Sequence, residues 1–255
     1  MNWIDTHTHL YLQEFDKDRE DVMKRSIDIG VRKMLLPNID SMSIFSMYEI
    51  KDKFPDNIDL MMGLHPCSVM DNYLEEIKII ENELSQNKFI GIGEIGIDLY
   101  WDALTFENQK KVFKLQLQWA KELNLPVSIH SREATKEVID CLNEMNGGVK
   151  GVFHCFSGNI AQAREVVELG MFLGIGGVVT YKKTNLPEII TELGLEHIVL
   201  ETDAPYLSPI PYRGTRNESS YIPIIGERIA NILGLGLQSV LEATWRNSVK
   251  VFFNS

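Results

Sequence analysis

Eight short apolar, β-prone runs, each ending in a polar or glycine-rich turn, recur along the chain. They are WID near residue 4, VRKMLLP near 35, IDLMMGL near 62, FIGIGE near 92, LPVSIH near 128, GVFHCF near 153, MFLGIGG near 174 and HIVLET near 200. Continuous apolar runs of this length suit strands covered on both faces, as in a parallel sheet. Between them lie stretches with helical periodicity. In TFENQKKVFKLQLQWAKELN, Val112, Leu115, Trp119 and Leu123 recur at three- and four-residue spacing and predict a helix with one buried stripe. The stretch from Asp16 to Gly30 carries Val22, Ile27 and Ile29 and ends on a glycine suited to a helix stop. Segments 73–85, 133–145, 160–169, 186–193 and 221–233 read as further helices. Strands alternating with helices imply parallel pairing. Eight such units predict an α/β fold, a closed (β/α)8 TIM-like barrel spanning 1–255 as a single domain. Periodicity by itself leaves an open, doubly wound sheet as the alternative.

Composition narrows this picture. The chain has 255 residues, 44% hydrophobic and 24% charged, ordinary values for a globular protein with a real core. There is no linker, low-complexity block or short repeat. No run of about 18 uncharged apolar residues occurs, so no membrane span or membrane partner is expected. No basic segment followed by an apolar run marks a secretion signal. Cys67, Cys141 and Cys155 form no CxxC pair, which makes a reducing, cytoplasmic location the expectation. A formal net charge of -11 opposes passive adhesion to nucleic acid, so any such partner must be held by metal ions or a small basic patch.

The unusual polar residues collect at the ends of the runs. His7 and His9 follow the first, His65 the third, Glu94 ends the fourth and His130 the fifth. His154 lies in the sixth, and Asp203 follows the eighth. In a barrel these C-terminal ends converge on one face, where active sites of this architecture lie. Five of the six histidines belong to this set; His197 alone sits at a strand start, on the opposite face. A lone histidine, or Glu94 or Asp203 alone, reads as a hydrogen-bonding or capping group, and Cys155 reads as a small buried residue. Together they would be costly half-buried polar groups, and a divalent cation supplies all of them with one partner. In extended chain, residues i and i+2 point to the same side, so His7 and His9 can aim at one ion. Imidazole favours Zn, Mn, Fe, Co or Ni. Six donors exceed the need of one ion with an open position and suffice for two bridged by a carboxylate.

DTHTHL, GLHP, GEIGID, LPVSIHSR, FHCFSG and ETDAPYLSP, in that order, resemble the TatD-like deoxyribonucleases, within the amidohydrolase-like metallohydrolases. The resemblance implies a TIM-like barrel with a binuclear site. His7, His9, Glu94 and Asp203 would hold one divalent ion, and His130 and His154 would hold the second with Glu94 bridging. It also implies hydrolysis of DNA phosphodiesters, often as a 3′→5′ exonuclease on single strands or 3′ ends, with magnesium or manganese. The histidine-rich set points to softer ions, Zn, Co or Ni, so the bound metal is expected to follow the preparation. The family's RNEP becomes Arg216, Asn217, Glu218 and Ser219 here, and loss of the proline predicts a less rigid loop.

In the mechanism this suggests, Asp203 and Glu94 are catalytic as well as ligating, Asp203 orienting water or taking its proton. His65 is read either as a catalytic group touching phosphate or shuttling a proton, or as a structural hydrogen bonder. Glu201 is read either as support for a ligand or as a salt-bridge partner. Arg132, Lys182, Lys183, Arg213 and Arg216 would form a basic rim for substrate, and Tyr100, Trp101, Tyr181 and Tyr206 would stack on bases. No protein partner is implied. The runner-up function is ester or amide hydrolysis on the same scaffold, such as aminoacyl-tRNA deacylation. A long basic groove would favour the polynucleotide and a closed pocket the small substrate. A metal-binding scaffold without turnover is the third reading, and it would be favoured by a missing ligand.

Overall fold

A computed structural model describes residues 2–101, 103–145 and 147–253. Among the described residues, eight parallel strands follow one another in chain order: β1 (Trp3–Asp5), β2 (Val31–Pro37), β3 (Ile58–Met61), β4 (Ile92–Asp98), β5 (Val127–Arg132), β6 (Gly151–Phe153), β7 (Phe172–Ile175) and β8 (Ile198–Leu200). Regular ladders join β1-β2-β3 and β4 through β8. The two arcs meet at an isolated parallel bridge between Met61 and Gly91, supported by Ile90 N–H donating to Leu60 O at 2.9 Å. On the far side, Thr6 donates to Leu200 O from both N–H and Oγ1, each at 3.0 Å, linking β1 to β8. The ring is therefore closed, and the fold is a (β/α)8 TIM-like barrel, as expected. The open-sheet alternative falls.

Helices α1 (Arg19–Asp28), α2 (Ile44–Lys53), α3 (Tyr73–Gln86), α4 (Phe106–Leu123), α5 (Thr135–Glu144), α6 (Ile160–Glu168), α7 (Leu186–Leu193), α8 (Ile222–Leu233) and α9 (Leu237–Ser248) surround the ring. No single helix among the described residues is long and apolar enough to cross a membrane. Gly30 ends α1 at φ 100°, a conformation that glycine adopts without strain. The stripe of α4 differs from expectation. Val112 and Trp119 are buried, but Leu115 and Leu123 are exposed, and the inner face is completed by Gln109, Phe113, Gln116, Leu117 and Ala120. Two helices escape the apolar pattern. In α2 only Met47 and Ile50 are buried while Phe45 faces solvent. In α9 half the buried face is polar, with Asn247 Nδ2 donating to Leu195 O and Ile198 O below β8.

Inside the ring, Leu35, Met61, Val152, Phe172 and Val199 form an apolar plug closed by Val251 and Phe252. Strand alternation places the next inward residues of β6 and β8, His154 and Glu201, directly above it. His197 precedes β8 and packs on Phe172, at the strand starts, away from the other histidines.

Candidate metal centre

Glu94, 2% exposed, stands at the middle of the barrel mouth with its two oxygens turned to different neighbours. Oε2 lies 3.2 Å from His7 Nε2 and 3.4 Å from His9 Nε2. Oε1 lies 2.8 Å from His130 Nδ1, 2.8 Å from His154 Nε2 and 3.3 Å from His65 Nε2. Asp203 Oδ1 joins the first group, 3.5 Å from His9 Nε2 and 3.8 Å from His7 Nε2. All seven residues singled out at the strand ends thus come together, although they come from six different strand ends.

The outer nitrogens decide what the inner ones can do. Tyr11 has one hydroxyl proton and gives it to Pro37 O at 2.7 Å, so His9 Nδ1–H must donate to Tyr11 Oη, at 2.8 Å. Asp98 Oδ2 accepts from His130 Nε2 at 2.8 Å. The inward nitrogens, His9 Nε2 and His130 Nδ1, are therefore lone pairs unless a second proton is added. Other nitrogens converge on them, His7 Nε2 at 3.2 Å from His9 Nε2 and His154 Nε2 at 3.4 Å from His130 Nδ1. Protons or a cation must therefore sit between these lone pairs, the neighbouring nitrogens and Glu94, and converging imidazole nitrogens with two carboxylates are a donor set that fits a metal. His65 differs. Its Nδ1 accepts Cys67 N–H at 3.1 Å, which puts its proton on Nε2, facing Glu94.

Without metal, protons do the cation's work. Burial would raise the Glu94 carboxyl, but the surrounding imidazoles of His154, His65 and His7 and the His130 hydrogen bond outweigh it and hold Glu94 well below its ordinary range. Burial lowers His9, yet hydrogen bonds to Asp203 and Glu94 win and lift it to about 9. His154 is raised well above its ordinary value, because Glu94 and Glu201 together overcome its burial. Burial, reinforced by His154, drives His7 down to about 3. The cluster therefore holds a mixture of charged and neutral imidazoles around one buried carboxylate.

Local sequence builds this geometry. Gly96, at φ 147°, lets β4 approach β5 so closely that any Cβ would strike His130 O. Gly174 leaves room for the Glu201 carboxylate. Asp203 itself takes φ 55°, rare for a non-glycine residue but tolerated by aspartate. Asp5 ties β1 to the β8 end, accepting Thr202 N–H at 2.9 Å and Thr202 Oγ1–H at 2.6 Å; its burial raises it to about 7. Glu201 Oε1 lies 3.6 Å from His154 Nδ1, an ion-pair separation.

Several supporting residues carry no role in the sequence reading. Asp98 lies four residues beyond Glu94 on the same face of β4, and Ser128, whose hydroxyl meets His7 Nδ1 at 2.8 Å, lies two before His130. Both follow from strand alternation once a ligand is suspected. Tyr11 and Asp5 give no comparable signal.

A cleft of about 520 Å³ opens above the cluster, lined by His9, His65, Trp101, Arg132, Asp203 and Tyr206 among others. Of the expected substrate contacts, the structure brings Arg132, Trp101 and Tyr206 to this cleft. Lys182 lines a different groove beside Asn231, and Arg213 sits over the Tyr181 ring at 4.5 Å. Arg216, expected on the rim, instead pairs with Asp18 through both amino nitrogens at 2.7 Å. A larger groove of about 970 Å³, lined by Arg25, Tyr212, Arg216 and Tyr221, contains none of the metal-facing groups. The loop expected to be loosened by Ser219 is pinned. Asn217 Nδ2 donates to Thr202 O and Tyr206 O, Arg25 pairs with Glu218, and Ser219 is fully buried.

A closed parallel barrel with converging imidazoles and carboxylates at its C-terminal mouth defines a metal-dependent hydrolase. Related sequences narrow the class. The TatD related DNase family matches residues 4–253, and the chain belongs to it. It is similar to an uncharacterized metal-dependent hydrolase, YabD, of Bacillus subtilis, with 35% identity over 98% of each chain. An uncharacterized metal-dependent hydrolase of Haemophilus influenzae is 30% identical over 99% of this chain and 100% of its own. The crystal structure of YJJV, a TatD homolog from Escherichia coli K12, superposes with a TM-score of 0.90 at 27% identity, covering 99% of this chain and 98% of that one.

Proposed function

We propose that this hydrolase holds two divalent cations bridged by Glu94 and cleaves phosphodiester bonds of single-stranded DNA, working from 3′ ends. The observation that carries the reading is the division of Glu94, whose two oxygens face different imidazoles. His7, His9 and Asp203 share the Oε2 side; His130 and His154 share the Oε1 side. Bound there, the ions would supply charge stabilisation for the phosphoryl oxygens and a water of lowered pKa.

The chain's own groups do the rest. Asp203 borders the cleft and is the least enclosed of the carboxylates around the cluster. It orients the attacking water and accepts its proton. His65, fixed as an Nε2–H donor, gives a hydrogen bond to a phosphoryl oxygen. Arg132 has no carboxylate partner among the described residues and lies over Tyr100 at 3.9 Å, a free cation for an adjacent phosphate. Tyr206 supplies a ring for a base. Among the described residues, Arg132 is the one guanidinium or ammonium group lining the cleft of about 520 Å³, which favours a strand end over a long basic groove for the interior of a duplex. The same cleft keeps one second reading in play, hydrolysis of a compact ester such as an aminoacyl linkage.

The test is incubation of 5′-end-labelled single-stranded DNA with metal-loaded protein and with Asp203→Asn. Stepwise shortening from the 3′ end, lost in the variant, is expected. No cleavage with magnesium, manganese, cobalt or zinc contradicts the reading and transfers it to the ester substrate.

A further inference from the structure

Two exposed rings stand on the rim of the cleft in matching settings. Trp101 follows β4 and Tyr206 follows β8. These strands are four apart in a ring of eight, so the two rings come from opposite sides of the barrel mouth, yet both line the one cleft. Trp101 is 68% exposed and Tyr206 49%, unusual for large rings in a concave site.

Each ring sits three residues after a carboxylate of the cluster, and its backbone N–H is bonded to that residue. Trp101 N–H donates to Asp98 Oδ1 at 2.8 Å, while Asp98 Oδ2 holds His130. Tyr206 N–H donates to the backbone oxygen of Asp203 at 2.8 Å, and Asn217 Nδ2 fixes the Tyr206 carbonyl. The ring positions are therefore registered to the metal-facing groups on each side, with Glu94 between them.

We infer that Trp101 and Tyr206 stack on different bases, one on each side of the scissile phosphate. The inference rests on the phosphodiester reading above and adds two subsites to it. A phosphate over Glu94 directs its two nucleosides outward, toward opposite walls. Aromatic stacking accepts every base, because each has a π-face. Cleavage then requires a base on both sides and shows little sequence preference. Arg132 stands beside the Trp101 side, 5.4 Å from that ring, where the next phosphate along the strand would pass.

The experiment uses three single-stranded oligonucleotides, one intact and two with an abasic residue on one or the other side of a defined cleavage point. The native chain and the variants Trp101→Ala, Tyr206→Ala, Trp101→Phe and Tyr206→Phe are compared by KM and by fluorescence anisotropy of the labelled strand. Both rings are exposed, so truncation leaves the fold intact. Each lesion is expected to weaken native binding about tenfold. Trp101→Ala should be indifferent to one lesion and still sensitive to the other, Tyr206→Ala should show the reverse, and the phenylalanine variants, which keep a ring, should stay sensitive to both lesions. Both alanine variants remaining sensitive to both lesions, or both becoming blind to the same one, overturns the assignment while leaving phosphodiester cleavage intact. Failure of the native chain to bind or cut the intact strand overturns the phosphodiester reading and this inference together.

Discussion

Glu94 is a buried carboxylate that would be untenable alone, since an unpaired charge at such a position costs several kcal/mol or more. Five imidazoles make it stable, and their outer nitrogens are held by Asp98, Tyr11, Ser128, a backbone amide and the neighbourhood of Glu201. Removing such support acts on the metal through the ligand. Asp98→Asn should weaken metal affinity about 10- to 100-fold, read by competition with a chromophoric chelator; unchanged affinity would show that Asp98 does not orient His130. His9 gives a pH dependence. Its metal-free value of about 9 lies above the ordinary 6.5, so the proton it carries stabilises the metal-free fold fully below pH 6.5 and that contribution is lost as pH rises through 9. A cation held by His9 would have to displace this proton. Metal binding at pH 7 should release at least about one proton, and affinity should climb toward pH 9, measured by calorimetry in buffers of different ionisation enthalpy. The residues clustered around Glu94 were legible because strand ends of a barrel share one face. Tyr11 and Asp5 were not, because a hydroxyl or carboxylate acting through one contact leaves no periodic trace.

At the scale of elements, α4 both packs on the barrel and holds the site. Its buried Gln116 accepts Leu64 N–H at 2.7 Å and donates to Leu64 O at 3.2 Å, just before His65. Gln109 does the same for Asp98, accepting its N–H at 2.8 Å and donating to its O at 3.1 Å. Each amide stands in for a missing strand partner. Gln116→Leu would leave both Leu64 groups unpaired and should cost about 1–3 kcal/mol in urea unfolding; a neutral effect would contradict the clamp. These glutamines also explain the misread stripe. Apolar periodicity treats Gln109 and Gln116 as outward residues and so rotates the helix toward Leu115 and Leu123. The same blindness hid α9, whose inner face includes Thr244, Asn247 and Ser248, and α2, which buries too little to form a stripe. The strands were easier to read, since residues covered on both faces leave continuous apolar runs.

Across the whole molecule, the closed ring turns residues nearly 200 positions apart into neighbours, as Thr6 and Leu200 show. Arg216 shows how a place in the chain leaves a residue's role open. Its position after the last strand suggested substrate, whereas its bidentate pair with Asp18 fastens the loop to the entry of α1. Arg216→Ala should leave KM for DNA within about twofold and lower stability by up to ~1 kcal/mol, a shift of roughly 2–4 °C in Tm. A large rise in KM would restore it to the substrate path. On the phosphodiester reading, an overall charge of -11 would concentrate attraction for a polyanion at bound cations and Arg132. The proposed chemistry turns on Glu94 bridging two ions. Electron paramagnetic resonance of the manganese-loaded protein tests it directly. Ions about 3.5–4 Å apart should give an exchange-coupled spectrum with two manganese per chain, and Glu94→Gln should abolish the coupling. One manganese per chain with an uncoupled spectrum in the native protein would contradict it.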